Sequence, residues 1–153
     1  MISYITRLLD TTVNNGSLLG HLKKATVIPV YKGGDRSLVT NYRPVSLTSV
    51  VCKQMEHAIA SYLRKLWDKN DLIYEGQHGF RPGYSCESQV ILVCQDIADS
   101  LDNGDKIDAI IVDFSKAFDL VPHGRLLTKI AKAGVDIRVI GWIREFLSDR
   151  TQS

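Results

Sequence analysis

Hydrophobic residues recur with helical spacing along much of the chain. The longest stripe predicts a helix from about Thr48 to Trp67, with apolar residues at i, i+4, i+7, i+8, i+11 and i+15. Its members are Val51, Met55, Ala58, Ile59, Tyr62 and Leu66. A second amphipathic helix is predicted between Ser85, a favourable N-cap, and Gly104, a favourable terminator. Shorter stripes predict one helix before Gly16 and two near the C-terminus, the first ending at Gly134.

Two other segments have the composition of β-strands. Ala25–Tyr31 is rich in β-branched residues, and Pro29, which has no N–H to donate, indicates an edge strand. Ile107–Phe114 contains four consecutive apolar residues, 109–112, which predict a strand buried on both faces. In a chain of 153 residues, about the size of one domain, this pattern predicts a mixed α/β fold with more helix than strand.

The charge is small overall but unevenly distributed. The formal net charge is +2, too low to indicate a nucleic-acid-binding protein by itself. Residues 1–95 hold 11 Lys and Arg against 7 Asp and Glu, whereas residues 96–153 hold 8 against 10. A basic first part would suit phosphate binding and an acidic second part would suit metal binding, although chance asymmetry explains the same counts.

The cysteines and the apolar runs exclude several classes of protein. Three cysteines without CxxC spacing argue against a disulfide framework or a zinc site. Cys52 and Cys94 lie on apolar faces of predicted helices, so both are expected in the core. No apolar run approaches the roughly 20 residues that span a bilayer, and Met1 opens directly into an amphipathic stretch. We therefore expect an intracellular protein without a membrane partner, in the nucleus or the cytoplasm.

Asp113 is the first candidate for chemistry. It stands at the C-terminal end of a predicted buried strand, where many α/β enzymes place catalytic groups. A carboxylate there suits Mg²⁺, which prefers oxygen ligands and assists phosphoryl transfer. A strand-end Asp is at least as often a helix cap or a turn former, so spacing alone leaves both interpretations open. On the long helix, Lys53, His57 and Arg64 form a narrow stripe, either a solvated face or a phosphate-facing one.

Four ordered segments resemble one protein family. Residues 113–119, Asp-Phe-Ser-Lys-Ala-Phe-Asp, resemble motif A of reverse transcriptases in the form used by non-LTR (LINE-type) retrotransposons. Asn41–Leu47 is similar to the fingers motif of that family, and Gln77–Gly83 is similar to its next motif. Ala25–Lys32 resembles the strand that leads into the fingers hairpin. The segments stand in the family's order and together span about residues 20–150.

The resemblance implies a fold and a set of roles. It implies a right-hand polymerase arrangement, with about residues 1–95 as fingers and their connection and about 96–153 as a partial palm with an incomplete sheet. Asp113 would be a catalytic, metal-binding aspartate, and the backbone carbonyl of Phe114 a further metal ligand. Phe118 would be the steric gate that favours dNTPs over rNTPs. Lys32 and Arg43 would contact the triphosphate, since the Arg fork matches phosphate oxygens.

Two further residues are candidates for contact with nucleic acid. Lys53, on the basic stripe of the long helix, would bind nucleic acid, and Arg81, between Phe80 and Pro82, would either touch the template backbone or brace its own loop. The implied partners are an RNA template, a DNA primer and a dNTP; the implied cofactor is Mg²⁺, with Mn²⁺ as an alternative; no stable protein partner is implied. Without the resemblance, the pattern favours Phe118 as a core residue, and Arg43 before Pro44 is explained equally by an ordinary exposed residue of an extended segment.

The sequence lacks two later motifs of the family. A Gly-x-Pro-Gln-Gly block and a Tyr/Phe-Ala-Asp-Asp hairpin do not occur before Ser153, so Asp113 is expected to hold Mg²⁺ weakly and this chain alone to be inactive. A second hypothesis is therefore a non-catalytic retroelement remnant that at most binds nucleic acid. A third, a phosphatase or receiver-like domain, is disfavoured because Ser115 stands where such phosphatases need a second Asp.

Overall fold

The computed structural model of the chain describes residues 2–114 and 117–153. Its regular elements are helices α1 (Ile2–Asn15), α2 (Val50–Lys69), α3 (Cys86–Asp102), α4 (His123–Lys132) and α5 (Ile137–Leu147), and strands β1 (Lys24–Tyr31), β2 (Tyr42–Thr48) and β3 (Thr151–Gln152). Two 3₁₀ turns cover Gly20–Lys23 and Val39–Asn41. The predicted helix-rich α/β class is thereby confirmed in its coarse form.

The chain divides into two compact units. The first unit contains Met1–Trp67 and Val121–Ser153, and the second contains Asp68–Leu120. The first therefore holds the small sheet with α1, α4, α5 and nearly all of α2, whereas the second holds α3 and the loops on either side of it. Among the described residues no helix is both long and apolar enough to cross a membrane.

The core of the first unit forms where its four helices meet. Its buried members are Leu18, Leu22, Cys52, Met55, Ile59, Ile130, Val135, Val139, Ile140 and Trp142. Trp142 is 2% exposed, stacks on Phe146 with ring centroids 5.3 Å apart, and donates its indole N–H to the Thr12 hydroxyl at 3.2 Å. That bond connects α5 to α1 across 130 residues of sequence. The core thus fixes the first and last helices of the chain to each other.

The sheet has the order β2-β1-β3, with β1 antiparallel to β2 and parallel to β3. The backbone N–H of Lys32 donates to Asn41 O at 2.8 Å, so Lys32 and Asn41 are a hydrogen-bonded pair of the ladder. In an antiparallel ladder hydrogen-bonded and non-hydrogen-bonded pairs alternate, and Pro29 and Pro44, three positions further along, are therefore a facing pair without mutual hydrogen bonds. In keeping with this, the N–H of Val27 points the other way and donates to Ser153 O at 2.9 Å. The ladder therefore accommodates both prolines without losing a bond.

The edge position predicted for Pro29 is only locally correct. β1 is the middle strand of the sheet, but β3 pairs with it only at Lys24 and Ala25. At Pro29 the strand consequently has a neighbour on the β2 side alone, which is where a residue without an N–H is tolerated.

The predicted helices are confirmed, with boundaries shifted by a few residues. The helix predicted from about Thr48 to Trp67 is α2, Val50–Lys69. Ser85 caps α3 by accepting from the Ser88 N–H, and Gly104 follows the helix with φ +81°. Gly134, also at positive φ, follows α4. Each of these glycines adopts a conformation that other residues resist, which explains why the helices end there.

Two predictions from the sequence are wrong. Ile107–Phe114 is not a buried strand but an irregular segment, in which Ile110 and Ile111 are 88% and 92% exposed. A strand needs a neighbouring strand for its backbone groups, and residues 2–114 and 117–153 place none beside this segment, so the expected palm strand does not form. Cys94 is exposed although Cys52 is completely buried, because α3 buries none of its side chains. Burial raises the pKa of the Cys52 thiol.

Candidate functional site

Two of the candidate residues lie together at the end of the β1–β2 hairpin. Arg43 is paired with Val30 across the ladder, and Lys32 follows Val30 by two residues. Because side chains alternate between the faces of a strand, Lys32 and Arg43 belong to the same face. Both side chains are exposed, and in the described part of the chain neither forms an ion pair. Lys32 Nζ donates a hydrogen bond to the carbonyl of Thr40 at 3.2 Å.

We call this side of the hairpin its outer face. Four aliphatic side chains, each 41–47% exposed, continue it away from the two cations: Ile28, Val30, Val45 and Leu47. The opposite face carries Ala25, which is buried, and Val27 and Tyr42, which are half-buried. The register therefore turns the two cations away from the core and towards solvent.

The turn between the two strands is held by its own hydrogen bonds. Asp35 accepts from the backbone N–H and the hydroxyl of Ser37, which lowers the pKa of its carboxyl. Asn41 Nδ2 donates to Asp35 O at 2.8 Å, and the Tyr31 hydroxyl donates to Gly34 O. At Gly34, with φ +92°, a Cβ would come within 2.8 Å of Asn41 Nδ2. The turn thus requires glycine and fixes the spacing of the residues on either side of it.

The basic stripe predicted on the long helix is present and exposed. Lys53, His57 and Arg64 are separated by four and seven residues on α2, so they fall within a narrow sector of the helix. From Lys53 to Arg64 the stripe is roughly 16 Å long, at 1.5 Å per residue. Neither Lys53 nor Arg64 forms an ion pair with a carboxylate among residues 2–114 and 117–153.

In the second unit, Arg81 braces the loop that precedes α3. Its guanidinium donates to the carbonyls of Glu75 and Tyr74, at 3.1 and 3.4 Å, and lies 4.7 Å from the centre of the Tyr84 ring. The sequence left two roles open for Arg81, contact with the template backbone and bracing of its own loop, and these hydrogen bonds favour the second. They occupy Nη1 and leave other N–H donors of the guanidinium free.

The described residues of the Asp113 motif are exposed. Phe114 and Phe118 are 76% and 77% exposed, and the Phe118 ring meets the Phe80 ring edge-on, at a centroid distance of 5.9 Å. The alternative that Phe118 is a core residue is therefore wrong for this chain. Asp113 is exposed in the irregular segment and has no hydrogen-bond partner among the described residues. Residues 115 and 116 of the motif lie outside the described residues.

A cleft at the start of α3 was not predicted from the sequence. It has a volume of about 470 Å³ and lies beside His78, Phe80, Tyr84 and Cys86. His78 Nδ1 lies 2.7 Å from Ser88 Oγ, and its ring meets the Tyr84 ring edge-on at 4.7 Å. The signal in the sequence that could have indicated the cleft is the loop rich in Gly, Pro and aromatic residues directly before a capped helix.

Comparison with known proteins decides the family. Residues 22–153 match the family model described as "Reverse transcriptase (RNA-dependent DNA polymerase)". The chain belongs to the reverse transcriptase family. The resemblance to reverse transcriptases of non-LTR elements, drawn from the four ordered motifs, is confirmed by this match and by the relatives.

Three relatives from Drosophila melanogaster illustrate the similarity. The chain is 30% identical over 84% of its length to "Probable RNA-directed DNA polymerase from transposon BS". It is 27% identical over 97% of its length to the corresponding protein of transposon X-element, and 27% identical over 98% to that of mobile element jockey. The chain spans only 14–16% of the length of these relatives.

Reverse transcriptases use divalent metal ions, so the described residues can be tested for such a site. Mg²⁺ needs several oxygen ligands to offset the hydration that it loses. No group of three or more His, Cys, Asp or Glu side chains suited to a metal occurs among residues 2–114 and 117–153. Among these described residues Asp113 therefore belongs to no such group, and the residues present do not fit the ion.

Proposed function

We propose that this chain provides the part of an RNA-directed DNA polymerase that binds the triphosphate of an incoming dNTP. The observation that carries the proposal is the pair Lys32 and Arg43, exposed on one face of a hairpin whose turn is fixed by hydrogen bonds. A triphosphate requires fixed positive charge, and a planar guanidinium can donate two parallel bonds to phosphate oxygens. A rigid hairpin supplies that charge with little loss of conformational freedom on binding.

In this proposal the hairpin and α2 belong to the fingers and the segment around Asp113 belongs to the palm. The proposed boundary lies near residue 95, with a partial palm in residues 96–153. Lys53 on α2 contacts nucleic acid, and Arg81 contacts the template backbone with the donors that its loop leaves free. The template is RNA, the primer is DNA, and the protein acts inside the cell.

The catalytic roles remain with the Asp113 motif. We propose Asp113 as a catalytic carboxylate and Phe118 as the residue that excludes a 2′-hydroxyl. Asp113 and the carbonyl of Phe114 would supply two oxygen ligands to Mg²⁺ or Mn²⁺, which are too few to hold the ion by themselves. Since the described residues do not make a metal site, no catalytic step is assigned to the ion, and the 153-residue chain is not expected to polymerise DNA by itself.

Triphosphate binding is tested by measuring the Kd of the chain for a fluorescent dNTP without added metal. Arg43→Ala and Lys32→Ala should each raise the Kd about tenfold, because each removes a charge-assisted hydrogen bond. Arg43→Lys should lie between Arg43→Ala and the unchanged chain, since lysine keeps the charge but not the fork. Lys24→Ala is the matched control: it removes the same charge from β1, roughly 26 Å along the strand from Lys32.

The result that would contradict this assignment is a Kd that Lys24→Ala raises as much as Arg43→Ala does. Non-specific attraction to the net charge would produce that equality, because it does not depend on where the charge is. A chain that binds the dNTP with no dependence on Lys32 or Arg43 would also exclude the outer face of the hairpin as the binding site.

A second candidate function is a non-catalytic domain that binds nucleic acid. The exposed basic stripe on α2 favours nucleic-acid binding, and the lack of a group suited to a metal among the described residues favours a non-catalytic role. Binding to an RNA–DNA primer–template should weaken with salt, and Lys53→Ala should reduce the slope of log K against log salt by about one. No detectable binding at low salt would exclude this function.

Primer extension distinguishes the two candidates. The purified 153-residue chain, given Mg²⁺, dNTPs and a primed RNA template, should extend no primer. Extension that Asp113→Ala abolishes would show instead that this chain completes a catalytic site.

A further inference from the structure

Lys32 stands just beyond the regular part of the hairpin. β1 ends at Tyr31 and β2 begins at Tyr42, so Lys32 lies outside the paired strands that fix Arg43 opposite Val30. The last pair of the strands, Tyr31 and Tyr42, packs its rings on the opposite face, with centroids 5.6 Å apart. The position of the Lys32 ammonium therefore depends on the loop between the strands.

Two consecutive residues of that loop hold Lys32 at both of its ends. The backbone N–H of Lys32 donates to the carbonyl of Asn41 at 2.8 Å, and its ammonium donates to the carbonyl of Thr40 at 3.2 Å. An ammonium has three donors, so the bond to Thr40 leaves two for the oxygens of a ligand. The two carbonyls therefore set the direction in which Lys32 presents its charge.

The side chain of Asn41 fixes the position of those carbonyls. Its Nδ2 donates to Asp35 O at 2.8 Å across the loop, and its backbone N–H donates to Leu38 O at 3.0 Å. A Cβ at Gly34 would come within 2.8 Å of the same Nδ2, so the amide packs directly against the loop backbone. Asn41 is thus bonded to three separate points: Lys32, Asp35 and Leu38.

We propose that Asn41 is a positioning residue for triphosphate binding, which holds the Lys32 ammonium on the outer face of the hairpin. Asn41 opens the segment that is similar to the fingers motif. It does not touch the ligand in this proposal but acts through Lys32. A lysine side chain that is restrained before it binds loses less conformational freedom on binding, which lowers the Kd. The inference rests on the proposed function, because it concerns the same triphosphate site.

The first test measures the Kd of the 153-residue chain for a fluorescent dNTP without added metal. Asn41→Ala should raise the Kd about threefold, because the charge of Lys32 is kept but is no longer held in place. Lys32→Ala, which removes the charge itself, should raise it about tenfold. Asn15→Ala is the matched control: Asn15 is exposed at the end of α1, so the loss of its amide should leave the Kd unchanged.

A double-mutant cycle shows through which cation Asn41 acts. In a Lys32→Ala background no ammonium remains to be positioned, so Asn41→Ala should change the Kd by less than about 1.5-fold. In an Arg43→Ala background the threefold effect should persist, since the paired strands and not the loop place Arg43. A general loss of structure would instead raise the Kd in both backgrounds.

Thermal unfolding separates positioning from stability. The bond from Asn41 to Asp35 is exposed, so its loss should cost little stability. The Tm of Asn41→Ala, followed by far-UV circular dichroism, should therefore stay within about 3 °C of that of the unchanged chain. If the Tm falls further, the cycle still decides between the two explanations, because unfolding would raise the Kd in every background.

Three results would overturn the inference. One is an Asn41→Ala variant whose Kd is unchanged while Lys32→Ala and Arg43→Ala both raise it, which would leave the proposed triphosphate site intact. Another is an equal effect of Asn41→Ala in the two backgrounds, since Asn41 would then act on the fold of the hairpin and not on Lys32. The third is a Kd that neither Lys32→Ala nor Arg43→Ala changes, which would remove the triphosphate site and with it the role of Asn41.

Discussion

The bond between Trp142 and Thr12 allows a quantitative test of what holds the first unit together. Thr12→Val replaces the hydroxyl with a methyl group of similar size and leaves the buried indole N–H without an acceptor. Thr12 is 4% exposed, so water cannot take over the bond readily. A buried polar group left unpaired costs about 1–3 kcal/mol, and we expect a loss of about 2 kcal/mol in the free energy of unfolding.

The same change should have little effect when the donor is absent. In a Trp142→Phe background no indole N–H remains to be left unpaired, and exchanging a buried hydroxyl for a methyl group is nearly neutral. The double-mutant cycle should therefore show a coupling energy of about 1–2 kcal/mol between the two residues. In thermal unfolding, Thr12→Val alone should lower the Tm by roughly 4–8 °C for a chain of this size.

Urea unfolding followed by tryptophan fluorescence is the appropriate assay. Both tryptophans, Trp67 and Trp142, belong to the first unit, so their emission reports on that unit alone, and Trp67 remains as a probe in the Phe variant. Equal costs of Thr12→Val in both backgrounds, within about 0.3 kcal/mol, would refute the reasoning. The destabilisation would then come from packing around position 12 or from the bond that the Thr12 hydroxyl donates to Leu9 O at 3.0 Å, and not from the bond to Trp142.

Three further predictions concern local interactions. Hydrogen bonds from the Arg138 guanidinium and N–H lower the pKa of Asp136 from 3.8 to about 2, so the contribution of Asp136 to stability is lost as the pH falls from 4 to 2. Asp136→Asn should flatten the dependence of the Tm on pH over that window. A pH dependence that the substitution leaves unchanged would show that Asp136 is not its cause. Ser85→Ala should destabilise α3 by about 1 kcal/mol, seen as faster amide exchange in its first turn and contradicted by unchanged exchange. Lys23 Nζ lies 2.5 Å from Glu145 Oε1, with the side chains 10% and 34% exposed. Glu145→Ala should lower the free energy of unfolding in urea by about 2 kcal/mol, because it leaves the buried Lys23 charge unpaired, and adding Lys23→Met should recover part of that loss. No recovery would show that the unpaired charge does not cause the loss.

Helices were predictable from the sequence because their hydrogen bonds are local. The apolar spacing in Val50–Lys69 and the Ser85 cap act within a few residues, so the structure differs from the prediction only at the ends. The strand predicted at Ile107–Phe114 failed because strand formation depends on a partner that the pattern of one segment does not reveal. β3 was missed for a related reason: two residues carry no periodicity, and only their pairing with Lys24 and Ala25 defines them.

The sequence predicted the candidate site only in part. The motifs indicated Lys32 and Arg43, and the register of the hairpin places both on its outer face; their role in binding a triphosphate stays a prediction. The motif around Asp113 indicated a metal ligand, but a metal site requires carboxylates from several elements, which a single motif does not supply. The cleft beside His78 was missed because its walls come from a loop and a helix end, neither of which has a repeating pattern.

The facing prolines of the hairpin have a consequence for its behaviour at high concentration. The nitrogen of each proline points away from the other strand of the hairpin. Pro29 therefore removes an N–H donor from the outer edge of β1, and Pro44 removes one from the outer edge of β2 at the directly opposite position. A strand from another molecule that approached either side would meet a gap in the hydrogen-bonding pattern. Although its outer face is aliphatic, the hairpin is a poor template for fibril growth, and replacing both prolines with threonine would be expected to remove that protection.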